Sequence, residues 1–395
     1  MLEQTGAERP GPRAFLRIGG LTVARQQAAL ALALKCERVI CIAPGLSPEM
    51  IELQHLVEGA GVSFHVIGSS RALLGLVTAV DDVIVLADGM FASLQPLADL
   101  LDEGQAILTQ PIEQGLAAGF ERIDLNHASA GAMRLPGRLI ERMADLPPDC
   151  DAASALLRIA LQAGIRQKPI TALEGGGLFW TVVRSDEEAH ALEPLWIRQR
   201  TRGEGSLSIS QWIALAGVRS FGPALLHAGS GARMLVIAAA VVALLAVGSG
   251  WFGLVLLGLS FAALAWILRE LAVMLARIEF DAASGRKGLD SKELFGWPLD
   301  AIIVFLAALG SEMHAGQHLA DRLFPPFMLV ALLRILPRLS APRWSAWLGD
   351  RAVLAVALGI AIGAGFGSGT IHIAASLAAL AGMLLPFGQS RLTRA

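Results

Sequence analysis

The chain has 395 residues, 54% of them hydrophobic and 17% charged, with a formal net charge of −2. That is too apolar for an ordinary soluble protein and too charged for one lying wholly in a membrane, and the near-neutral balance argues against nucleic acid as a partner. Dividing the chain resolves the conflict: residues 1 to about 205 carry ordinary charge density, while 234–387 are mostly Ala, Leu, Val, Ile and Gly, so one soluble and one membrane domain are expected. Cys36, Cys41 and Cys150 all fall in the soluble part without metal-ligand spacing, and read as core thiols in a reducing compartment. The opening MLEQTGAERPGPR lacks the apolar core of a signal peptide.

In chain order, helical periodicity over Leu21 to Leu34 leads into a strand, Arg38 to Ala43. A polar helix, Ser47 to Gly59, a strand, Val62 to Ile67, and a helix, Arg71 to Val77, follow. The apolar run DDVIVLADG ends in Asp88. Alternating strands and helices imply a parallel sheet covered on both faces, with ligands at the carboxyl ends of its strands. Asp88 lies at such an end, or serves as a turn or cap residue. Arg122, Asp124, Asn126 and His127 form a dense polar cluster that reads as surface. A helix is expected over Ala152 to Ala163, capped by Asp149 or Asp151.

The polar, Gly/Ser-containing QRTRGEGSLSIS (199–210) marks the domain boundary. The expected domains are 1–198, a linker with a juxtamembrane amphipathic helix at 199–232, and 233–395. Gln211 to Leu226 has amphipathic spacing and a break near Gly222-Pro223, suited to a membrane surface or to packing on a bundle. Six apolar segments follow, at about 234–249, 252–275, 298–313, 323–337, 351–367 and 369–387. Arg219, Arg233, Arg277, Arg286, Lys287, Lys292, Arg334, Arg338, Arg343, Arg351, Arg391 and Arg394 fall on one side of a six-span topology, with Arg322 the exception. The positive-inside rule then puts both termini in the cytoplasm of a bacterial-type inner membrane.

Glu279 to Val304 is the most polar interval of this second half: Glu279, Asp281, Asp290, Glu293 and Asp300 alternate with Arg286, Lys287 and Lys292. It reads as a solvated loop or as a metal and phosphate site at the mouth of a helix bundle.

The segments RIGGLTVARQQAALALALKCERVICIA, VIVLADGMFAS and LEGGGLFWTVVRSDEEAHALEPLWIRQR resemble the sugar-phosphate nucleotidyltransferase fold, a Rossmann-like three-layer α/β domain. Asp88 matches an aspartate that holds Mg²⁺ in that family. Trp180, Asp186, Glu187 and Glu193 fall in the order of its closing segment. The family's Gly-rich phosphate loop has no counterpart, and Val183-Arg184 replaces an aspartate-rich pair, which implies a vestigial metal site at Asp88.

The interval after the second apolar segment resembles the CDP-alcohol phosphatidyltransferase family, whose six-span bundle carries D-x2-D-G-x2-A-R-x8-G-x3-D-x3-D there. Gly296 and Asp300 fit its G-x3-D, and Val304 stands where the last aspartate, the general base, belongs. Asp281 and Arg286 fit the upstream half in one register, Glu279 and Lys287 in another. The resemblance implies Asp281, Asp300 and Glu279 as metal ligands, with Arg286, Lys287 and Gly296 for substrate phosphate and Mg²⁺ or Mn²⁺ as cofactor.

In order the whole chain is similar to fusions of an inositol-phosphate cytidylyltransferase with a di-inositol-phosphate-phosphate synthase. Three functions stay open. The first is a catalytically impaired binding or regulatory membrane protein, paired with itself or an active paralogue and holding a nucleotide, CDP-alcohol or lipid headgroup. The second is an active CDP-alcohol phosphatidyltransferase with a metal site rearranged among Asp281, Glu279, Asp290, Glu293 and Asp300. The third is an anchored soluble domain on a structural bundle.

Overall fold

The computed structural model describes residues 12–147, 150–170, 180–201, 208–227, 231–283, 296–311, 319–339 and 345–384. It divides into two compact units with the main boundary between Arg202 and Gly203. The first is mixed α/β, and the second is helical.

In the first unit a short hairpin, β1 (Arg17–Ile18) and β2 (Leu21–Thr22), leads into α1 (Val23–Ala33). Thr22 caps α1, its hydroxyl accepting from Arg25 N. β3 (Arg38–Ile42) and β4 (Ser63–Ile67) form a parallel pair joined by α2 (Pro48–Gly59). Ser47 as N-cap with Pro48 in the first turn sets where α2 begins. β5 (Asp82–Leu86), β7 (Ala106–Pro111), β8 (His127–Pro136) and β9 (Gln167–Pro169) make a four-stranded sheet in the order β5-β8-β7-β9. β6 (Met90–Ala92) pairs antiparallel with β10 (Trp180–Val182).

The expected all-parallel sheet is thus corrected to a mixed one. β8 runs antiparallel to both β5 and β7. Between β7 and β8 stands only α4 (Ile112–Ala117) and the turn at Asp124, so His127 pairs back on Pro111. The Asp124 carboxylate closes that turn, accepting from Asn126 N at 2.7 Å and His127 N at 2.8 Å. Those bonds hold its carboxyl below the usual range. The expected helix over Arg71 to Val77 is a 3₁₀ helix, Ser70–Gly75. α3 (Leu94–Asp102) and α5 (Ala152–Gln162) cover the sheet, and Asp151 caps α5 through Ser154 N.

The three cysteines are free and half-buried rather than fully enclosed. Burial still pushes the Cys41 thiol up to about 11, which keeps it protonated and unreactive at neutral pH.

The last helix of the unit, α6 (Asp186–Arg200), is tied to the first hairpin. Buried Glu193 accepts from Gly19 N at 2.9 Å, and Trp196 lies flat on Gly19. Gly19 has φ +60°, and a Cβ there would come within 2.3 Å of the Trp196 ring. Gly19→Ala should therefore lower unfolding stability by about 2–4 kcal/mol, through left-handed backbone strain plus overpacking. Urea unfolding followed by tryptophan fluorescence checks this, and a change below about 0.5 kcal/mol would remove the hairpin–helix lock.

The second unit holds α7 (Ile209–His227), α8 (Gly231–Trp251), α9 (Val255–Ala283), α10 (Gly296–Gly310), α11 (Leu319–Leu339), α12 (Ser345–Leu348), α13 (Arg351–Gly363) and α14 (Gly367–Leu384). Among the described residues each of the six apolar segments thus falls mainly on a helix. α7 is continuous through Pro223, where a break was expected, since a proline removes one backbone bond while the flanking turns keep theirs. One apolar core joins α8 to α11, α13 and α14, through residues such as Ala246, Trp266, Leu306, Leu329, Ala355 and Ile371.

The six-span expectation is met only in part. Among the described residues two helices, Gly231–Trp251 and Val255–Ile278, are long and apolar enough to cross a membrane. α10 and α13, with 15 and 13 residues, fall short of the roughly 20 a bilayer requires. α11 is interrupted by Asp321, Arg322, Arg334 and Arg338.

Candidate functional site

Each unit holds one region that the sequence pointed to. In the α/β unit, Asp88 stands at the second position of a tight turn, Ala87 to Met90, closed by Met90 N donating to Ala87 O. Gly89 takes φ +71° there, as such a turn requires. The Gln27 amide on α1 donates to Ala87 O at 2.9 Å and Met90 O at 3.0 Å, which fixes the turn. Beside it, Val183 N donates to Gly89 O, continuing the β6–β10 pairing by one residue. Arg184, the next residue, is thereby brought to the segment that carries Asp88, and its guanidinium lies on Gly119.

Asp88 and Gly119 line one cavity of about 170 Å³, together with Arg13, Glu121, Asp151 and Ser154. That is smaller than the roughly 300–1,000 Å³ of small-molecule sites. Its other carboxylates are engaged: Glu121 accepts from Ser154 Oγ, and Asp151 from Ser154 N. The acidic run Asp186, Glu187 and Glu188 occupies the first turn of α6 under a Ser185 cap, where carboxylates favour the helix dipole.

In the helical unit, Gly296 and Asp300 open α10, and both are buried. Asp300 is not a solvated loop residue. One of its oxygens accepts from Arg334 Nη1 at 2.6 Å and the other from Arg351 Nε at 2.7 Å. Arg351 also donates to Leu348 O and Val330 O. A third guanidinium, Arg269, pairs with Glu270 at 2.5 Å. A Cβ at Gly296 would lie 3.5 Å from Arg334 Nη2 and 3.7 Å from Arg269 Nη2, so both guanidiniums reach the start of α10. Aromatic faces hold them in place: Arg334 lies 3.9 Å from the Trp297 centroid and Arg269 4.5 Å from that of Trp266. Asp350 is turned elsewhere, accepting from Ser210 N at 2.8 Å and capping α13 through Ala352 N and Val353 N. Among the described residues, Arg269, Arg334 and Arg351 thus gather with Asp300 and Glu270 at a helix N-terminus, and guanidiniums so placed suit an anion.

The described part of this cluster offers Mg²⁺ or Mn²⁺ no free carboxylate. Both Asp300 oxygens are taken by cations, and among the described residues no group of three or more His, Cys, Asp or Glu could hold a metal ion. Val304, one turn further along α10, packs against the apolar core. Glu279 and Asp281 lie on α9 near its end, but their side chains, and all of 284–295 including Arg286, Lys287, Asp290 and Glu293, lie outside the described residues.

Sequence reasoning missed Arg269, Glu270 and Asp350, and used Arg334 and Arg351 only for topology. The signal was present at Arg269-Glu270, an ion pair in the middle of an apolar run, where a charge needs a partner or a function. No protein-family model matches this sequence, and no curated protein does.

Proposed function

We propose that this chain is a membrane-embedded binding protein for a phosphorylated headgroup, built on the plan of a CDP-alcohol phosphotransferase but catalytically impaired. The observation that carries this is Asp300 held between Arg334 and Arg351 beside Gly296. Where a transferase of that plan needs carboxylates for metal, this unit presents guanidiniums, which take phosphate oxygens directly and in bidentate fashion. Val304 supplies no proton acceptor at the base position. The α/β unit is its degenerate nucleotidyltransferase-like counterpart, with Arg184 in place of a family carboxylate and a cavity at Asp88 too small for a nucleotide.

Embedding in the membrane is supported by the outward faces of the helices. α8 exposes Met234, Ile237, Val241, Leu244 and Leu245; α13 exposes Val353, Val356 and Ile360; α14 exposes Ile373, Leu377 and Leu380. So many large apolar side chains exposed along successive helices are unusual on a soluble monomer and natural against lipid. The shorter helices share this exposure, in favour of a six-crossing bundle, and the arginine distribution favours both termini in the cytoplasm. Reporter fusions near His314 and after Arg394 should then show opposite sidedness; identical sidedness would limit the protein to two crossings. The headgroup reading is tested by equilibrium binding of a CDP-alcohol such as CDP-glycerol to the full chain in neutral detergent, where no binding would remove it.

A further inference from the structure

The other end of the helical unit holds a second polar site. α10 runs from Gly296 to Gly310, so Ser311 lies about 22 Å from Gly296 at 1.5 Å per residue. A cavity of about 380 Å³ opens there, lined by Ser311, by Arg322 and Pro326 of α11, and by Ser368, Gly369 and His372 of α14. This volume is within the range of small-molecule sites, roughly 300–1,000 Å³.

Its one lining guanidinium is incompletely satisfied. Arg322 Nη2 donates to Ser311 O at 3.1 Å, which anchors the side chain. Arg322 Nε is buried and has no hydrogen-bond partner among the described residues. A buried charged donor without an acceptor is costly, and its natural complement is an oxyanion. α11 and α14 both begin at this cavity, so their positive dipole ends add to the same preference. His372 Nδ1 donates to Ser368 O at 2.7 Å, holding the ring in place. Asp321, the carboxylate in the lining, is exposed to solvent, which weakens its field inside the cavity. Pro326 and Ile371 supply apolar wall, and a Cβ at Gly369 would meet nothing within 4 Å, so the floor is open.

We propose that this cavity binds the oxyanion of an amphipathic molecule, with the charged group on Arg322 and a short apolar chain along the proline and isoleucine wall. The site is separate from the Asp300 cluster and stands whether or not that cluster binds a headgroup.

The test titrates full-length protein in maltoside detergent with octyl phosphate, inorganic phosphate and octanol, read by calorimetry. Octyl phosphate should bind and octanol should not. Arg322→Gln should weaken octyl phosphate at least tenfold. Gly369→Phe, which fills the cavity without changing charge, should do the same. Inorganic phosphate binding with the same sensitivity to both variants would support the anion site and place its source in solution; octyl phosphate alone would place it in lipid. Octyl phosphate binding unchanged in both variants, equal binding of octanol, or no binding of either phosphate would overturn the proposal.

Discussion

Asp300→Ala should cost the helical unit about 3–5 kcal/mol, the usual penalty for removing one partner of a buried ion pair. The reason is what stays behind. Arg351 is 3% exposed and Arg334 only partly so, and each gives a guanidinium N–H to Asp300. Without the carboxylate two cations face each other beside the apolar Leu299 and Ile303, where desolvation is costly. Replacing the whole set removes that imbalance, so Asp300→Leu with Arg351→Met should recover most of the stability. Thermal unfolding in detergent reads both. A shift in Asp300→Ala worth less than about 0.5 kcal/mol would return this residue to the solvated loop that the sequence allowed.

Arg269→Gln should cost some stability, because Glu270 loses its buried partner, and should weaken CDP-alcohol binding by a factor of about ten or more, the scale of one lost charge-assisted contact of about 1.5–3 kcal/mol. The Asp300 bonds come from Arg334 and Arg351, so that set survives the change. Glu270 retains a side-chain bond to Gln211. Arg269→Lys should rescue only in part, because an ammonium is a point charge without the planar fork. Equal affinity in wild type and Arg269→Gln, measured at one ionic strength, would take Arg269 out of the binding site.

Local chemistry was legible in the sequence wherever one segment determined it. Ser47-Pro48 and Asp151 start helices as their capping chemistry dictates, and the apolar run at Asp82 to Leu86 is a strand ending just before Asp88. The direction of β8 was not legible, because it depends on the Asp124 turn folding the chain back on β7. The same limit applies to the site. Asp300 was read from its spacing to Gly296, but its partners lie 34 and 51 residues away, on helices whose arginines also satisfy a topology rule. Spacing within a motif says which carboxylates share a helix face; it does not say which cation reaches that face from elsewhere. Hence a residue expected to hold a metal is held by two guanidiniums. The span count depended on helix length, and α10 and α13 prove shorter than their apolar runs suggested.

The central claim is that phosphate here meets arginine rather than metal. Binding of CDP-glycerol to the full-length protein, measured by calorimetry with excess EDTA and again with Mg²⁺ or Mn²⁺ in its place, tests it most directly. The account predicts the same affinity in both, within about a factor of three, and no release of CMP on prolonged incubation with lipid. Binding that disappears in EDTA and returns with the cation, accompanied by CMP release, would contradict it and establish a working metal-dependent transferase.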